Sequence, residues 1–287
     1  MTGQGNNAPG DFGASVNVDI KTELPSTSSG RTLDAITDLL RPISESFGYI
    51  GDKIQLRRQT TLLEIARRAK ERIETIERPL HCIPQKFFLP LLEKASLEDA
   101  NDDTLVGMWA NLIATASTEN VQMLGQYINI LSNIVPKQVF ILNRMLDNTD
   151  DDEPYDAGHL VDNYYYLNQT GLPGTLNAHS EINDAEQFAD AVVASLNIKG
   201  VAIDTINIFY LDESLGKGFS MANPDGIYSD KDFLDFENLV RLGLIDRTEI
   251  KRHQIGMFDI DVHYYVVNPV GIDLFACCNP TKLIRSR

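Results

Sequence analysis

Apolar residues recur at intervals of three and four positions through much of the first half of the chain, and this spacing constrains the fold more than any other feature. The stretch 52–78 carries such a stripe, as do 101–118, 121–132 and 136–146. An α-helix has about 3.6 residues per turn, so this spacing places the apolar side chains along one face of each helix. We therefore predict that residues 31–147 form a helical domain.

One of these helices, ending near Thr118, holds the only tryptophan of the chain, Trp109. Asn101 or Asp102 can cap its start, because both side chains accept hydrogen bonds from the unpaired amides of a first turn. Trp109 lies on the apolar stripe, which predicts a core anchor. Asn111 lies on a second face of small and polar groups.

Asn111 needs hydrogen-bond partners if it is buried, since an unsatisfied amide costs about 1–3 kcal/mol. The turn at residues 96–99 is near in sequence and carries polar side chains on Ser96, Glu98 and Asp99. We therefore predict a polar clasp between this turn and the helix. We assign a structural role to Glu98, Asp99 and Asn111 in this clasp and to Trp109 as a core anchor.

The pattern changes at the acidic run DNTDDDEPYDAGH, which begins at residue 147. Polar, turn-rich sequence follows it, with a helical pattern over 184–196 and a run of β-branched and aromatic residues over 201–211. We predict that residues 148–228 form an insertion or linker region with one helix and one strand.

Residues 229–287 show the order helix, short strand, hairpin and short helix, which is the order of a winged-helix module. Ser229 can cap the first helix, and Gly243 suits the turn after it. Apolar and polar residues alternate over 258–266, which indicates a half-buried strand, and Asn268 precedes the closing helix. The predicted fold class is mainly α with a small α+β part: an N-terminal helical body followed by a C-terminal winged-helix-like module.

Residues 1–30 are rich in Gly, Ser, Asn and Pro, so they bury too little apolar surface to fold, and we predict a disordered N-terminal tail. They lack the basic start and the unbroken apolar core of a signal peptide, and no apolar stretch of the chain is long enough to cross a bilayer. The chain has three cysteines, an odd number that suits a reducing compartment. We therefore expect a cytoplasmic protein without stable membrane insertion.

The chain carries 41 acidic and 25 basic residues, which gives a formal net charge of −16. Phosphate backbones repel such a chain, so nucleic acid is not an expected partner. The stretch 52–78 is an exception, because basic residues outnumber acidic ones there. Its candidate interaction residues, which either dock on the acidic body or contact nucleic acid, are Arg57, Arg58, Arg67 and Arg68.

No residue pattern points to a catalytic or metal site, so we predict neither a cofactor nor a metal and favour a protein that is not an enzyme. His81-Cys82 and Cys277-Cys278 lack the gap that two zinc ligands need. Arg247 and His253 match the spacing of an arginine and a histidine in some helical ribonucleases, where the two would flank a phosphate. They lie in the predicted hairpin and not on a helix, so chance is the stronger explanation of this weak catalytic pair.

Two stretches resemble the abortive-infection alpha family of bacterial proteins. The first consists of CIPQKFFLPLLEKASLEDANDDTLVGMWANLIATAS and INILSNIVPKQVFILNRML, within residues 82–147. The second consists of FENLVRLGLID and YYVVNPVGIDLFACC, within residues 233–278. The chain departs from the family pattern at Asn268-Pro269, where a Leu-Thr pair is usual, and at Cys278, which adds a second thiol beside Cys277.

The resemblance implies a role in bacterial defence against phage, in which an infected cell halts growth or dies before the phage matures. It supplies no catalytic residues, and we expect a protein partner or a second copy of the chain as the binding partner. Two alternatives stay open. One is a nucleic-acid-directed effector that binds or cleaves RNA through the basic helix 52–78, and the other is a toxin that acts at the membrane face through the helices around 32–80.

Overall fold

The computed structural model describes residues 51–76, 78–146, 155–170, 179–227, 229–279 and 283–284. Within these ranges the protein is mostly helical with a small antiparallel sheet, which confirms the coarse fold class predicted from the sequence. The predicted tail 1–30 and the first residues of the predicted helical domain lie outside the described residues. None of the described helices combines the length and the apolar character that membrane crossing requires.

The described chain before residue 147 folds into a series of helices, and all but α2 lie at the stretches that the apolar spacing predicts. They are α1 (Gly51–Glu74), α2 (Gln85–Ala95), α3 (Asp103–Thr118), α4 (Leu124–Leu131) and α5 (Pro136–Leu146). Asp102 caps α3, because its carboxylate accepts hydrogen bonds from the amides of Thr104 and Leu105. α1 ends four residues earlier than predicted, where the Thr75 hydroxyl donates to the Arg72 carbonyl and closes the last turn.

The second part of the chain alternates helices with strands. Its elements are β1 (Tyr155–Asp156), α6 (Ala157–Thr170), α7 (Ala185–Leu196), β2 (Val201–Tyr210), β3 (Phe219–Ala222), α8 (Phe233–Arg241), β4 (Ile245–Ile255), β5 (Phe258–Val267), α9 (Pro269–Cys278) and β6 (Leu283–Ile284). Asp184 caps α7 and Ser229 caps the short 3₁₀ turn that leads into α8. β1, α6 and β3 are additions to the single helix and single strand predicted for residues 148–228.

The sheet has the strand order β3-β2-β5-β4, and all its neighbours are antiparallel. β4 and β5 form the predicted hairpin, with Gly256 in the left-handed conformation at its turn (φ 59°). The winged-helix prediction is not confirmed, because β5 pairs on its other edge with β2 and the hairpin is half of a larger sheet. The sheet thus combines strands from both sides of residue 228, where we predicted the boundary before the C-terminal module. The predicted domain boundaries stay a prediction.

The two faces of the sheet bury different side chains. On one face, residues of β2 and β5 such as Ile206 and Phe258 pack against α7, where the Phe188 ring stacks on Phe258 at 4.7 Å between ring centroids. On the other face, Tyr265 and Val267 belong to the core of the helical body. The sheet therefore lies between α7 and the helices. β5 alternates between buried and partly buried residues over 258–263, and it is buried on both faces from Tyr264 to Val267.

Candidate functional site

Trp109 lies in the middle of α3 and its side chain is fully buried. Its indole N–H donates to a carboxylate oxygen of Glu98 at 3.1 Å. The indole is only a donor, so a buried tryptophan requires an acceptor of this kind. Burial raises the pKa of Glu98, and the hydrogen bond from Trp109 partly opposes that rise. The pair fixes the turn at residues 96–99 onto α3.

Asn111 binds the end of α9 instead of that turn. Its side-chain amide donates to the carbonyl of Cys278 at 2.7 Å, and the Thr115 hydroxyl donates to the carbonyl of Cys277 at 2.9 Å. Carbonyls in the last turn of a helix have no partner within the helix, so they accept from a neighbouring element. The predicted bond from Asn111 to the 96–99 turn is therefore wrong. The turn thus contacts α3 through Trp109, whereas Asn111 joins α3 to the end of α9.

The start of α9 is also tied to its surroundings. The Asn268 side chain accepts from the Gly271 amide and donates to the Gly243 carbonyl and to the Asp246 carboxylate. Asn268-Pro269, which stands where the resembling pattern has a Leu-Thr pair, thus keeps a good helix cap. A Cβ at Gly271 would lie 2.2 Å from the Leu244 carbonyl oxygen, so only glycine permits this close approach of α9 to residue 244.

Asp246 also binds α6. The Tyr164 hydroxyl donates to its carboxylate at 2.6 Å, and this bond is the main reason that the pKa of Tyr164 is raised to about 12. α6, β4 and α9 are therefore joined by one carboxylate.

Most of the predicted interaction arginines on α1 are paired with carboxylates of the same chain. Arg57 binds Asp99 at 2.9 Å. Arg67 and Arg68 share Glu64, and these bonds lower the pKa of Glu64 to about 2. The remaining pairs are Arg67 with Glu71 and Arg68 with Asp103. Arg58 is exposed, and no ion pair to it is found in the described part of the chain.

The structure does not bring Arg247 and His253 together. Both are exposed on β4, six positions apart, which corresponds to roughly 20 Å along a strand. A bulge between Ile250 and His253 further changes the face on which the histidine lies. Arg247 instead lies 3.8 Å from the Asp204 carboxylate and 3.6 Å from that of Glu237.

The cysteines are free thiols: Cys82 is exposed, and Cys277 and Cys278 are buried in α9. Across the described ranges, no group of three or more His, Cys, Asp or Glu side chains is arranged to hold a metal ion.

A cleft of about 850 Å³ lies where the first turns of α6 and α9 meet the connection between α3 and α4. Such a volume falls within the range of small-molecule pockets, roughly 300–1,000 Å³. Its polar lining includes Arg78, Glu119, Asp162 and Asp273. Arg78 and Glu119 form an ion pair, and the buried Tyr127 hydroxyl donates to Asp273.

No sequence pattern predicts this cleft, because its walls come from segments far apart in the chain. Arg78 follows the end of α1 and Glu119 follows the end of α3, whereas Asp162 and Asp273 each lie in the second turn of their helices, α6 and α9. The one local signal is that charged residues cluster at helix ends, and that signal is common on any protein surface.

Comparison with known proteins places these elements in one family. The model of the family described as abortive infection alpha matches residues 57–265. No curated protein and no solved structure matches the chain significantly. The matched range contains α3 with Trp109 and Asn111, the arginines of α1 and three of the four polar cleft residues, and it ends just before α9. Because the match covers well over half of the chain, the protein belongs to the abortive infection alpha family.

Proposed function

We propose that this protein defends bacteria against phage by abortive infection, and that it acts by binding a protein partner or a second copy of itself. The family match over residues 57–265 is the observation that carries the defence role. In this proposal the infected cell stops growing or dies before the phage matures, and the binding event either senses the infection or delivers the toxicity.

Exposed apolar side chains support binding to a protein. At the end of β2 and in the turn after it, Phe209, Leu211 and Leu215 are each about half exposed, at 48%, 47% and 55%. At the start of α8, Leu234 is 78% exposed beside Phe233. Burying such side chains against a partner removes apolar surface from water, which is favourable. We further propose that α8, the β4–β5 hairpin and α9 form a winged-helix-like module that makes this interaction.

Internal ion pairs weaken the case for a nucleic-acid effector. Arg57, Arg67 and Arg68 already bind carboxylates of the chain, so α1 offers less free positive charge than its sequence suggests. Affinity for nucleic acid depends on the number of phosphates that free cations neutralise. A gel-shift experiment with RNA and DNA tests this alternative, which requires binding that weakens steeply as salt is raised.

We place the action in the cytoplasm, since three free thiols suit a reducing compartment. The membrane-face alternative is tested by flotation with anionic vesicles, in which the protein should stay with the soluble fraction.

Plating efficiency tests the defence role. Bacteria that express the protein and bacteria that carry the empty vector are challenged with a panel of phages. We expect fewer plaques for at least one phage when the protein is present. Equal plating for every phage, with the protein shown to be folded and expressed, would contradict the proposal.

A further inference from the structure

The sheet has two edge strands, β3 and β4, and they differ in how they are protected. Each has a neighbour on one side only in the strand order β3-β2-β5-β4. The outer backbone groups of an edge strand can pair with a strand of another molecule unless charges, bulges or prolines prevent it. β4 is blocked in this way by a bulge after Ile250 and by the exposed charged side chains of Arg247, Glu249 and Lys251.

β3 carries neither a charge nor a bulge. Its residues, Phe219–Ala222, include no charged side chain and no proline, and they pair with β2 in one unbroken register. Among the residues that the structure describes, no backbone hydrogen bond joins β3 to any element other than β2. β3 is therefore the edge at which the sheet can be extended.

One face of β3 is apolar. Phe219 and Met221 lie opposite Ile208 and Ile206 of β2, on the face of the sheet that packs against α7. Both side chains are partly buried, and Phe219 packs against the core on that side. Each still exposes part of its surface, so a strand added at this edge would bury more of both side chains.

The other face of β3 is small and exposed. Ser220 and Ala222 lie there, and the Ser220 hydroxyl donates to the side-chain oxygen of Asn207 at 2.7 Å. The Phe209 ring lies on the same face, since a Cβ at Gly218 would be 3.1 Å from one of its carbons. Glycine has no side chain to cover this ring, which is 48% exposed.

We propose that β3 pairs antiparallel with β3 of a second copy of the chain, so that two four-stranded sheets join into one sheet of eight strands. The second copy is favoured because the strand is complementary to itself. A two-fold axis perpendicular to the sheet at Ser220 keeps the two faces in register, as an isologous interface requires.

This register pairs side chains that suit one another. Phe219 lies opposite Met221 of the second copy, and Met221 lies opposite its Phe219, which gives two sulfur–aromatic contacts. Gly218 lies opposite Ala222 of the second copy, beside the uncovered ring of Phe209. The two Ser220 residues lie opposite each other on that same face.

The charge and size of the surface set the strength of the pairing. Residues 218–222 carry no charge, so no ionic group is desolvated when they pair. Leu211 and Leu215, which are 47% and 55% exposed in the connection from β2 to β3, add apolar surface at the border. The paired stretch is short, so we expect a weak dimer that depends on protein concentration. This inference rests on the proposed function only where it gives the second copy a role in defence.

Sedimentation of the full chain tests the pairing. We expect the mass to rise from one chain toward two as the protein concentration increases from about 1 to about 100 µM. A mass of one chain throughout this range would overturn the proposal.

Two variants with the same added charge locate the interface. Ser220→Lys places two ammonium groups directly opposite each other, so we expect the dissociation constant of the dimer to rise at least about tenfold. Gln254→Lys adds the same charge at an exposed position of β4 and should leave the dimer unchanged. Equal effects of the two variants would show that only net charge matters and would overturn the interface.

A charge-swap experiment tests the register. Ser220→Lys and Ser220→Asp should each be monomeric, whereas their mixture should form a heterodimer, because opposite charges then face each other at residue 220. A mixture that stays monomeric would overturn this register. Unfolding followed by Trp109 fluorescence shows that each variant is folded, and Ala222→Lys, also exposed on this face, replaces Ser220→Lys if that variant is not.

Plating efficiency of Ser220→Lys separates this inference from the proposed function. If the wild-type protein dimerises and protects cells, loss of both in the folded variant supports a role of the dimer in defence. Full protection by the monomeric variant would overturn that role, while the defence function stands. If the wild-type protein dimerises but protects against no phage, the proposed function fails and the dimer stands.

Discussion

The side-chain amide of Asn111 in α3 donates to the carbonyl of Cys278 in α9 at 2.7 Å, although 167 residues separate the two. Thr115, one turn further along α3, makes the equivalent bond to Cys277 at 2.9 Å. α3 and α9 lie in the two separate stretches, 82–147 and 233–278, that resemble the family. The two stretches therefore form one structural unit in which the small polar face of α3 holds the end of α9.

Asn111→Ala removes the bond from the Asn111 amide to the Cys278 carbonyl. We expect a loss of about 1–3 kcal/mol in the free energy of unfolding, measured by urea denaturation. Asn129→Ala, on the exposed face of α4, is the matched control and should change stability little. Wild-type stability together with a lost defence phenotype would contradict the structural role of Asn111.

Gly271→Ala places a methyl group 2.2 Å from the Leu244 carbonyl oxygen. Since both atoms belong to packed backbone, we expect the melting temperature to fall, with a cost of about 1–3 kcal/mol. Gly107→Ala in α3 is the opposite case, because a Cβ there meets nothing within 4 Å. That control should stabilise the helix by about 0.5–1 kcal/mol. Similar melting temperatures for the two variants would be inconsistent with the close approach at Gly271.

Glu98→Gln keeps an oxygen that can accept from Trp109 but removes a partly buried charge. Burial raises the pKa of Glu98 above its ordinary value of 4.5. A raised pKa means that the protonated acid favours the folded state, so its stabilising contribution is present below pH 4.5 and is lost as pH rises through the raised pKa. We therefore expect the variant to be at least as stable as wild type at neutral pH and to lose this part of the pH dependence.

Fluorescence of Trp109, the only tryptophan, reports unfolding at each pH in this experiment. Glu93→Gln, which changes an exposed carboxylate on α2, serves as the control. If Glu98→Gln were clearly less stable than Glu93→Gln at neutral pH, the charge itself would be needed for the bond to Trp109.

Glu64→Gln tests the charge pairing on α1. Arg67 and Arg68 lower the pKa of Glu64 to about 2, so its contribution to stability is present above its ordinary value of 4.5 and is lost as pH falls toward 2. The pairs lie near the surface, so we expect the variant to lose only about 0.5–1 kcal/mol at neutral pH. The difference from wild type should vanish in acid, which thermal denaturation at several pH values measures. A difference that persists at low pH would show that the glutamate acts through packing.

Much of the secondary structure is predictable because local chemistry marks its ends. Asp102 caps α3, Pro136 begins α5 and Asn268 caps α9, and each helix starts where these residues indicate. α6 is harder to predict, because Tyr164, Tyr165 and Tyr166 interrupt its apolar stripe and no residue between the buried Leu160 and Leu167 is fully buried. The sheet shows another limit: the alternation in β5 predicts a strand, but not that β2 becomes its neighbour.

In the candidate site, too, features set by neighbouring residues could be predicted, whereas contacts between distant segments could not. The burial of Trp109 follows from the apolar spacing of α3, since spacing alone decides which face enters the core. The partner of Asn111 does not follow from it, because the nearest polar groups in sequence are not the nearest in space. The cleft around Asp162 and Asp273 is created by the packing of α6 against α9, which no local pattern encodes.

One-step phage growth tests whether this protein acts by abortive infection. Cells with and without the protein are infected at several phages per cell, and burst size and cell survival are measured together. Abortive infection predicts a strongly reduced burst from infected cells that nevertheless die or stop growing. At a low phage dose it predicts that the uninfected cells survive and the culture keeps growing. A normal burst from cells that contain folded protein, for a phage whose plating is reduced, would contradict abortive infection as the mode of defence.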